Sequence, residues 1–274
     1  MRLWFLALLC CLLGSFARAD LSVTTPLVRL LPLRAGMQHE GRITFQNTSA
    51  LPLTVRVAQA DFHLSVDQGA QLSAPGSTPQ SNAPWVTVDN RPYTLAAGES
   101  VTVPFRVQVP ADAPNGSRWS AILVEANLPT VPVNTPDGAK TNVSVQVVRT
   151  YVTSVVTVLG ETGAGAVLLD FARPTLALDT RTVEGKPQPA HTLNVEFLNA
   201  GVQATTALLT AQVFSGGKPV AQAELDQMLA LPGEGRVTKF SLPLLPPGDY
   251  EVVLLADAGG DDVFGARFAL TVRP

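Results

Sequence analysis

The sequence has few of the side chains on which enzymes and metal sites depend. It contains two cysteines, Cys10 and Cys11, and three histidines, His39, His63 and His191. Both cysteines lie near the N-terminus, so the rest of the chain has no disulfide, thiol nucleophile or cysteine-based metal site. The histidines are far apart in sequence, and neither a Gly-x-Ser-x-Gly elbow nor a glycine-rich phosphate loop occurs. The sequence therefore predicts a protein without catalysis, cofactor or metal.

Charged residues are also scarce, at 15% of the chain, and the formal net charge is −3. A chain without a basic surface is not expected to bind nucleic acid. Hydrophobic residues make up 46%, which supplies enough apolar surface for a folded core and argues against disorder. The 21 glycines and 22 prolines are scattered rather than periodic. This distribution disfavours long helices and collagen and favours many short strands joined by turns.

Residues 1–19 differ from the rest of the sequence and are predicted to be a signal peptide. Arg2 supplies the positive start, residues 3–13 are apolar, and a small–x–small pattern ends at Ala19. The apolar run is shorter than the roughly 20 residues that a membrane span needs. A lipidated Cys10 is the weaker alternative, because a leucine rather than a small residue precedes it. We therefore expect an exported chain, periplasmic or in the cell envelope, with no membrane span.

Alternation of polar and apolar residues predicts β-strands along most of the remaining sequence. Residues 101–109, for example, alternate in the way typical of strands with one face in a core and one in water. Tyr250, after Pro-Gly-Asp, is predicted to pin a strand corner through its hydroxyl. The glycine-rich segment 160–165 divides two such series. The sequence thus predicts an all-β protein of two tandem immunoglobulin-like antiparallel β-sandwiches, at residues 20–159 and 166–274.

Three segments have more than one interpretation. Residues 68–92 are rich in Pro, Ser, Gln and Gly and are predicted to form a long exposed loop before another short strand. Residues 221–231 are the only stretch with helical character, for about two turns. The carboxylates of the acidic turn 257–262 suit Ca²⁺, but a glycine hairpin turn explains the same residues, and the choice stays open.

Several motifs follow one another in an order that is known from one family. They are a first strand containing Arg29, a glycine turn and strand ending in Asn47, a Leu-x-x-Gly-x turn at 95–99, a proline-rich segment at 109–116, and a long strand at 142–158. In this order, residues 21–158 resemble the N-terminal domain of the periplasmic pilus-assembly chaperones, which are immunoglobulin-like partners of outer-membrane ushers. The second half resembles a generic bacterial immunoglobulin-like module.

The resemblance implies a binding strand. In that family the last strand of the first domain lends alternating apolar side chains to an incomplete pilin subunit, which is recognition by strand addition. The matching side chains here are Val143, Val145 and Val147, and Arg149 and Tyr151 continue the same face. The other interpretation is that these valines belong to a long core strand with a bulge near position 147.

The resemblance also implies an anchor for the subunit's terminal carboxylate. The family uses an arginine of the first strand, which matches Arg29, and a lysine of the last strand. That lysine position falls near Val152 and is not basic, so Arg149 is the nearest cation, and its planar guanidinium suits a carboxylate. The missing lysine puts usher-dependent activity in doubt.

The implied function is that of an exported chaperone that binds pilus or other secreted subunits by strand addition, with an outer-membrane usher as a second partner. One alternative is a non-catalytic structural or adhesion module of the cell envelope that acts through loop 68–92. Another is an enzyme with a site between the domains, for which the sequence supplies no nucleophile–base pair. The sequence leaves open the partner's identity, the involvement of an usher, the angle between the domains and the oligomeric state.

Overall fold

The computed structural model describes residues 21–128, 131–132, 144–145, 147–160, 166–259 and 263–273. The predicted signal peptide, Val143, most of the predicted linker, and Asp261 and Asp262 of the acidic turn lie outside these residues. The described residues form a short 3₁₀ helix (Ala83–Trp85) and the following strands: β1 (Leu21–Val23), β2 (Val28–Leu33), β3 (Gln38–Asn47), β4 (Leu53–Ser65), β5 (Gly69–Ser73), β6 (Val86–Val88), β7 (Tyr93–Leu95), β8 (Ser100–Gln108), β9 (Gly116–Asn127), β10 (Val131–Pro132), β11 (Ser144–Val145), β12 (Val148–Leu159), β13 (Leu169–Val183), β14 (Lys186–Asn199), β15 (Thr205–Ser215), β16 (Lys218–Ala230), β17 (Gly235–Pro243), β18 (Gly248–Asp257) and β19 (Val263–Val272). The predicted all-β class is confirmed.

The first half of the chain forms a sandwich of two sheets. One sheet has the order β1-β3-β8-β6, and the other has the order β2-β12-β9-β4-β5, with β7 also paired to β4. The pairings are antiparallel except for that of β12 with β2, which is parallel. The first strand is therefore divided, because β1 pairs with β3 in one sheet and β2 pairs with β12 in the other. Phe45, Ile43 and Ile122 are fully buried between the sheets.

The second half forms another sandwich, with sheets β13-β14-β17 and β16-β15-β18-β19. All of its pairings are antiparallel. Its core contains Phe197, Phe240 and Leu209, each fully buried. The hydroxyl of Tyr250 donates a hydrogen bond to the carbonyl of Pro246 at 2.7 Å, so the predicted pinning of this strand corner is confirmed.

The predicted long exposed loop at 68–92 is wrong in part, because three short elements lie within it and residues 81–83 are buried. These elements are β5, the 3₁₀ helix and β6. The buried Asp61 carboxylate accepts hydrogen bonds from the backbone N–H of Thr78 at 2.9 Å and from the Ser81 hydroxyl at 2.6 Å. The amide of Asn82 reaches the carbonyl of Val155 at 3.0 Å. These buried polar contacts fix a segment whose composition alone suggests a loop.

The predicted helix at 221–231 is also wrong, because these residues belong to β16. The strand pairs antiparallel with β15 from Ser215↔Lys218 to Thr205↔Ala230. Pairing buries Leu229 and Ala230. The helix propensity of Ala, Glu, Gln and Leu is worth only tenths of a kcal/mol per residue, and tertiary burial outweighs it.

The two halves meet in an apolar cluster. Phe62, Trp119 and Val156 of the first half pack there with Leu229 and Leu231 of the second half. Two hydrogen bonds also cross the junction, from the N–H of Ala204 to the Ser117 hydroxyl at 2.8 Å and from the N–H of Leu64 to the Glu234 carboxyl at 2.8 Å. The second half thus covers part of the outer face of the sheet that contains β12.

Candidate functional site at the open edge of β12

Strand β12 is paired along its whole length on one side and along half of it on the other. Its register with β9 is continuous from Val148↔Asn127 to Leu159↔Gly116. Its parallel register with β2 begins only at Ser154↔Val28. The N–H of Ser154 donates to the carbonyl of Leu27 at 2.7 Å, and among the described residues no strand pairs with 148–153 on this side.

The open half of β12 presents unpaired backbone groups. Within a strand, the N–H and C=O groups of every second residue point to the same side. Because the N–H of Ser154 points towards β2, the backbone groups of Val152, Thr150 and Val148 point to the open side. An unpaired row of this kind is a template for another strand.

The side chains of β12 alternate between two surroundings. Val155 and Leu159 lie in the core of the first sandwich, and Val156 and Val158 lie in the junction cluster. Val147 and Val148, at the start of the strand, are 44% and 54% exposed. The apolar character of the strand therefore continues past the end of the sandwich, where the chain's own core no longer uses it.

Two backbone contacts lie upstream of β12. The N–H of Leu128 donates to the carbonyl of Val147 at 2.9 Å, and Val145 in β11 pairs with Val131 in β10. Residue 146, beside the bulge predicted near position 147, lies outside the described residues.

Tyr151 is held by the chain's own fold. Its ring is half-buried against the core of the first sandwich, and its hydroxyl donates a hydrogen bond to the carbonyl of Leu21 in β1. Arg149, two residues earlier on the same face, is exposed. Tyr151 is therefore tied to β1 by the chain's own fold.

Arg29 lies on β2 opposite Val155. Its neighbours Val28 and Leu30 pack against the junction cluster, so the Arg29 side chain points to the other face of the sheet. Its Nη2 donates to the carbonyl of Arg42 at 2.9 Å, and its Nε is buried with no hydrogen-bond partner among the described residues. Arg29 lines an open surface cavity of about 1080 Å³ together with Thr25, Pro26, His39, Glu40, Arg42, Asp89 and Arg106.

The structure does not bring the two predicted anchor arginines together. Arg29 is level with Val155, whereas Arg149 lies six residues earlier on the same strand. At about 3.3 Å per residue, the two positions are roughly 20 Å apart. The two side chains do not converge on one point in this structure, so we treat each as a separate contact.

One surface beside the open edge was not predicted from the sequence. The sheet face that carries Val152 includes two rows across β12, β9 and β4. The first row, Val152, Leu123 and Ala58, belongs to the margin of the junction cluster, and the second row is formed by Thr150, Glu125 and Arg56. Alternation predicts which residues share a face of one strand. Only the register between strands shows that these three strands are neighbours, so no signal in the sequence points to this surface.

The described residues contain no group of three or more His, Cys, Asp or Glu side chains that is placed to hold a metal ion. In the acidic turn, the Asp257 carboxylate accepts a hydrogen bond from the N–H of Gly259 at 2.8 Å, which is a turn contact. Nor is there, in the part of the chain that the structure describes, a helix long and apolar enough to cross a membrane.

Comparisons with known proteins give similarity at the level of structure. No family model matches the chain, and neither does any curated protein sequence. Among solved structures, the chain is similar to one from the complex of Salmonella enterica SafA pilin with the SafB chaperone, with 15% identity, coverage of 93% of this chain and 97% of that one, and a TM-score of 0.39. It is also similar to one from the CsuC–CsuE chaperone–tip subunit complex of Acinetobacter baumannii Csu pili, with 15% identity, coverage of 91% and 98%, and a TM-score of 0.41.

The CupB2 chaperone of Pseudomonas aeruginosa is a third similar structure, with 11% identity, coverage of 91% and 100%, and a TM-score of 0.38. All three similar structures come from chaperones or from complexes that contain one. TM-scores near 0.4 mean that the chains superpose loosely. Evidence for function therefore has to come from the geometry of the β12 edge.

Proposed function

We propose that this protein is an exported chaperone that binds incomplete β-rich subunits, such as pilins, by adding β12 to them as a strand. The observation that carries the proposal is the half-covered edge of β12, where residues 148–153 pair with β9 alone among the residues that the structure describes. The exposed Val147 and Val148 lie at the same end of the strand. A subunit strand docked there would form main-chain hydrogen bonds with the outward groups of Val148, Thr150 and Val152.

Side chains of the same strand would provide selectivity. Val143, Val145 and Val147 would enter pockets of the subunit's open core, since every second side chain of an added strand faces the same way. Full burial of one valine side chain is worth about 1.5–3 kcal/mol. Arg149 would contact polar groups at the rim, and Tyr151 would keep the donor strand at a fixed angle to β1.

Arg29 would act separately from this strand. Its guanidinium carries a buried Nε with no partner among the described residues, and it lies beside an open cavity. We propose that it binds an acidic group of the bound subunit, because a planar guanidinium can form two parallel hydrogen bonds with a carboxylate. In the same proposal, residues 1–19 direct export, residues 20–159 and 166–274 act as two domains, and an outer-membrane usher receives the loaded complex.

The direct test is capture of partners in the native host. The chain, carrying a C-terminal tag, is purified from the envelope fraction, and co-purifying proteins are identified by mass spectrometry. We expect a recurrent, stoichiometric, β-rich partner with the wild-type chain. It should be lost with the double variant Val145→Asp, Val147→Asp, because a carboxylate entering an apolar pocket costs several kcal/mol.

A matched control separates binding from folding. Val237 on β17 is 40% exposed, similar to Val147 at 44%, but lies far along the chain from the β12 edge. Val237→Asp should therefore leave capture unchanged. Equal capture by the double variant, or a double variant that unfolds when Val237→Asp does not, would contradict the proposal. Retention of wall polymer with no protein partner would favour the structural module instead.

A further inference from the structure

The turn between β16 and β17 brings a carboxyl group to the junction of the two halves. Gly233 has a positive φ of 71°, and the tight turn places Glu234 beside β4 of the first half. The N–H of Leu64 donates to Oε2 of Glu234 at 2.8 Å. At the next residue, a Cβ added to Gly235 would be 3.1 Å from a Cγ atom of Val66, so the turn is packed closely against the residue that follows β4.

The surroundings of this carboxyl do not favour a negative charge. Burial raises the pKa of Glu234 from its ordinary 4.5 to about 7, although the hydrogen bond from Leu64 acts in the opposite direction. Burial likewise lowers the pKa of Arg236, two residues further on. Both shifts have the same physical cause, which is the burial of these side chains away from water.

The other charged and titratable side chains on the adjoining segments do not compensate the carboxyl. On the β4 side, His63 and Asp67 are exposed to solvent. On the same turn Arg236 is half-buried, and on β14 Glu196 is paired with Arg173 at 3.1 Å. Among the described residues, no ion pair holds the Glu234 carboxylate at the junction.

We propose that Glu234 makes the docking of the two halves sensitive to pH, with the protonated side chain favouring the docked arrangement and ionisation loosening it. A protonated carboxyl still accepts the Leu64 N–H through one oxygen and directs its O–H towards the half-exposed side of the turn. Ionisation leaves a partly desolvated charge with one hydrogen bond, which is a net cost. The inference concerns the junction alone and does not depend on which partner binds β12.

The direction of the pH effect on docking follows from the raised pKa of Glu234. The carboxyl has a higher pKa when the halves are docked than when the turn is in water, so docking and protonation favour each other. Docking is therefore strongest below about pH 4.5 and weakens as the pH rises through about 7. Because the side chain is partly open to solvent, we expect a change on the order of tenfold in the docking equilibrium between pH 6 and 8.

Hydrogen exchange measured by NMR on the exported chain tests this proposal. The amide of Ala204 reports docking, because it donates across the junction to the Ser117 hydroxyl. After correction for intrinsic exchange, its protection should fall about tenfold from pH 6 to 8. The amides of Val124 and Leu193, which lie in strands paired on both sides, should keep their protection.

Variants decide whether Glu234 is responsible. Glu234→Gln keeps an acceptor for Leu64 without the charge, so the protection of Ala204 should stay at the low-pH value throughout. Glu234→Ala should also lose the pH response, at lower protection. Glu251→Gln removes an exposed carboxylate that faces Arg267 at 3.5 Å, and it should respond to pH as the wild type does. An unchanged response in Glu234→Gln, or a constant protection of Ala204 while the Glu234 carboxyl titrates, would overturn the proposal.

Discussion

The last strands of the two sandwiches, β12 and β19, differ in how their outer edges are covered. β12 has β2 beside residues 154–159 and an open edge before them. β19 pairs with β18 over its whole length, and among the described residues no strand pairs with its other side. Both strands begin with an exposed valine, Val148 in β12 and Val263 in β19. On the solvent face of β19, Arg267 meets Glu251 at 3.5 Å.

The difference arises in the first strand of each sandwich. In the first half, the segment containing Pro26 separates β1 from β2 and moves the chain from one sheet to the other. In the second half, β13 is interrupted near Pro174, where Arg173 has a φ of 46°, yet it stays paired with β14 on both sides of this bulge. The exposure of the last strand is thus decided by how the first strand is divided rather than by the last strand's own sequence.

In each sandwich a buried asparagine ends one of the strands. Asn47 ends β3, and its Nδ2 donates to the carbonyls of Leu51 at 2.7 Å and Ala96 at 3.1 Å. Asn199 ends β14, and its Nδ2 donates to the carbonyls of Gln203 at 2.8 Å and Ala230 at 3.2 Å. Both amides fasten a turn to a neighbouring strand of their sandwich.

The largest expected effect is the loss of these asparagines. Asn47→Ala and Asn199→Ala should each lower the free energy of unfolding by about 3 kcal/mol, because several buried groups lose their partners at once. Urea denaturation followed by circular dichroism measures this. If the two asparagines have equivalent roles, the two losses should agree within about 1 kcal/mol. A loss confined to one variant would show that only one sandwich depends on this contact.

The next effect concerns the open edge of β12. Thr150→Pro removes an outward-pointing N–H without breaking the ladder to β9, and proline is tolerated at such edge positions. We expect unchanged folding and partner affinity reduced by about 2 kcal/mol, or roughly 30-fold. Isothermal titration calorimetry with the captured subunit measures the change. Thr150→Ala, which keeps the N–H, is the matched control, and full affinity in Thr150→Pro would place the partner elsewhere.

Much of the fold could be predicted, because a strand that is buried on one face has alternating polar and apolar residues. This pattern predicts strands such as β8, whose Val103, Phe105 and Val107 are buried. The ordering of residues 68–92 could not be predicted, because it depends on the contacts of Asp61 with a segment distant in sequence. The open edge of β12 could not be predicted from the sequence either. Polar and apolar residues alternate in the same way in an edge strand and in an inner strand, and only the register with β2 distinguishes the two.

The smallest effect compares two tyrosine hydroxyls. Tyr151 donates to Leu21, which is distant in sequence and fastens β12 to β1, whereas Tyr250 donates to Pro246, four residues away on an exposed corner. Tyr151→Phe should cost about 1 kcal/mol of stability, and Tyr250→Phe should cost less, since its oxygen partner is easily hydrated. Thermal denaturation followed by calorimetry measures the loss of stability in each of the two variants. Equal costs would mean that the contact between β12 and β1 contributes no more than a local turn, and that Tyr151 is free to move when a partner binds.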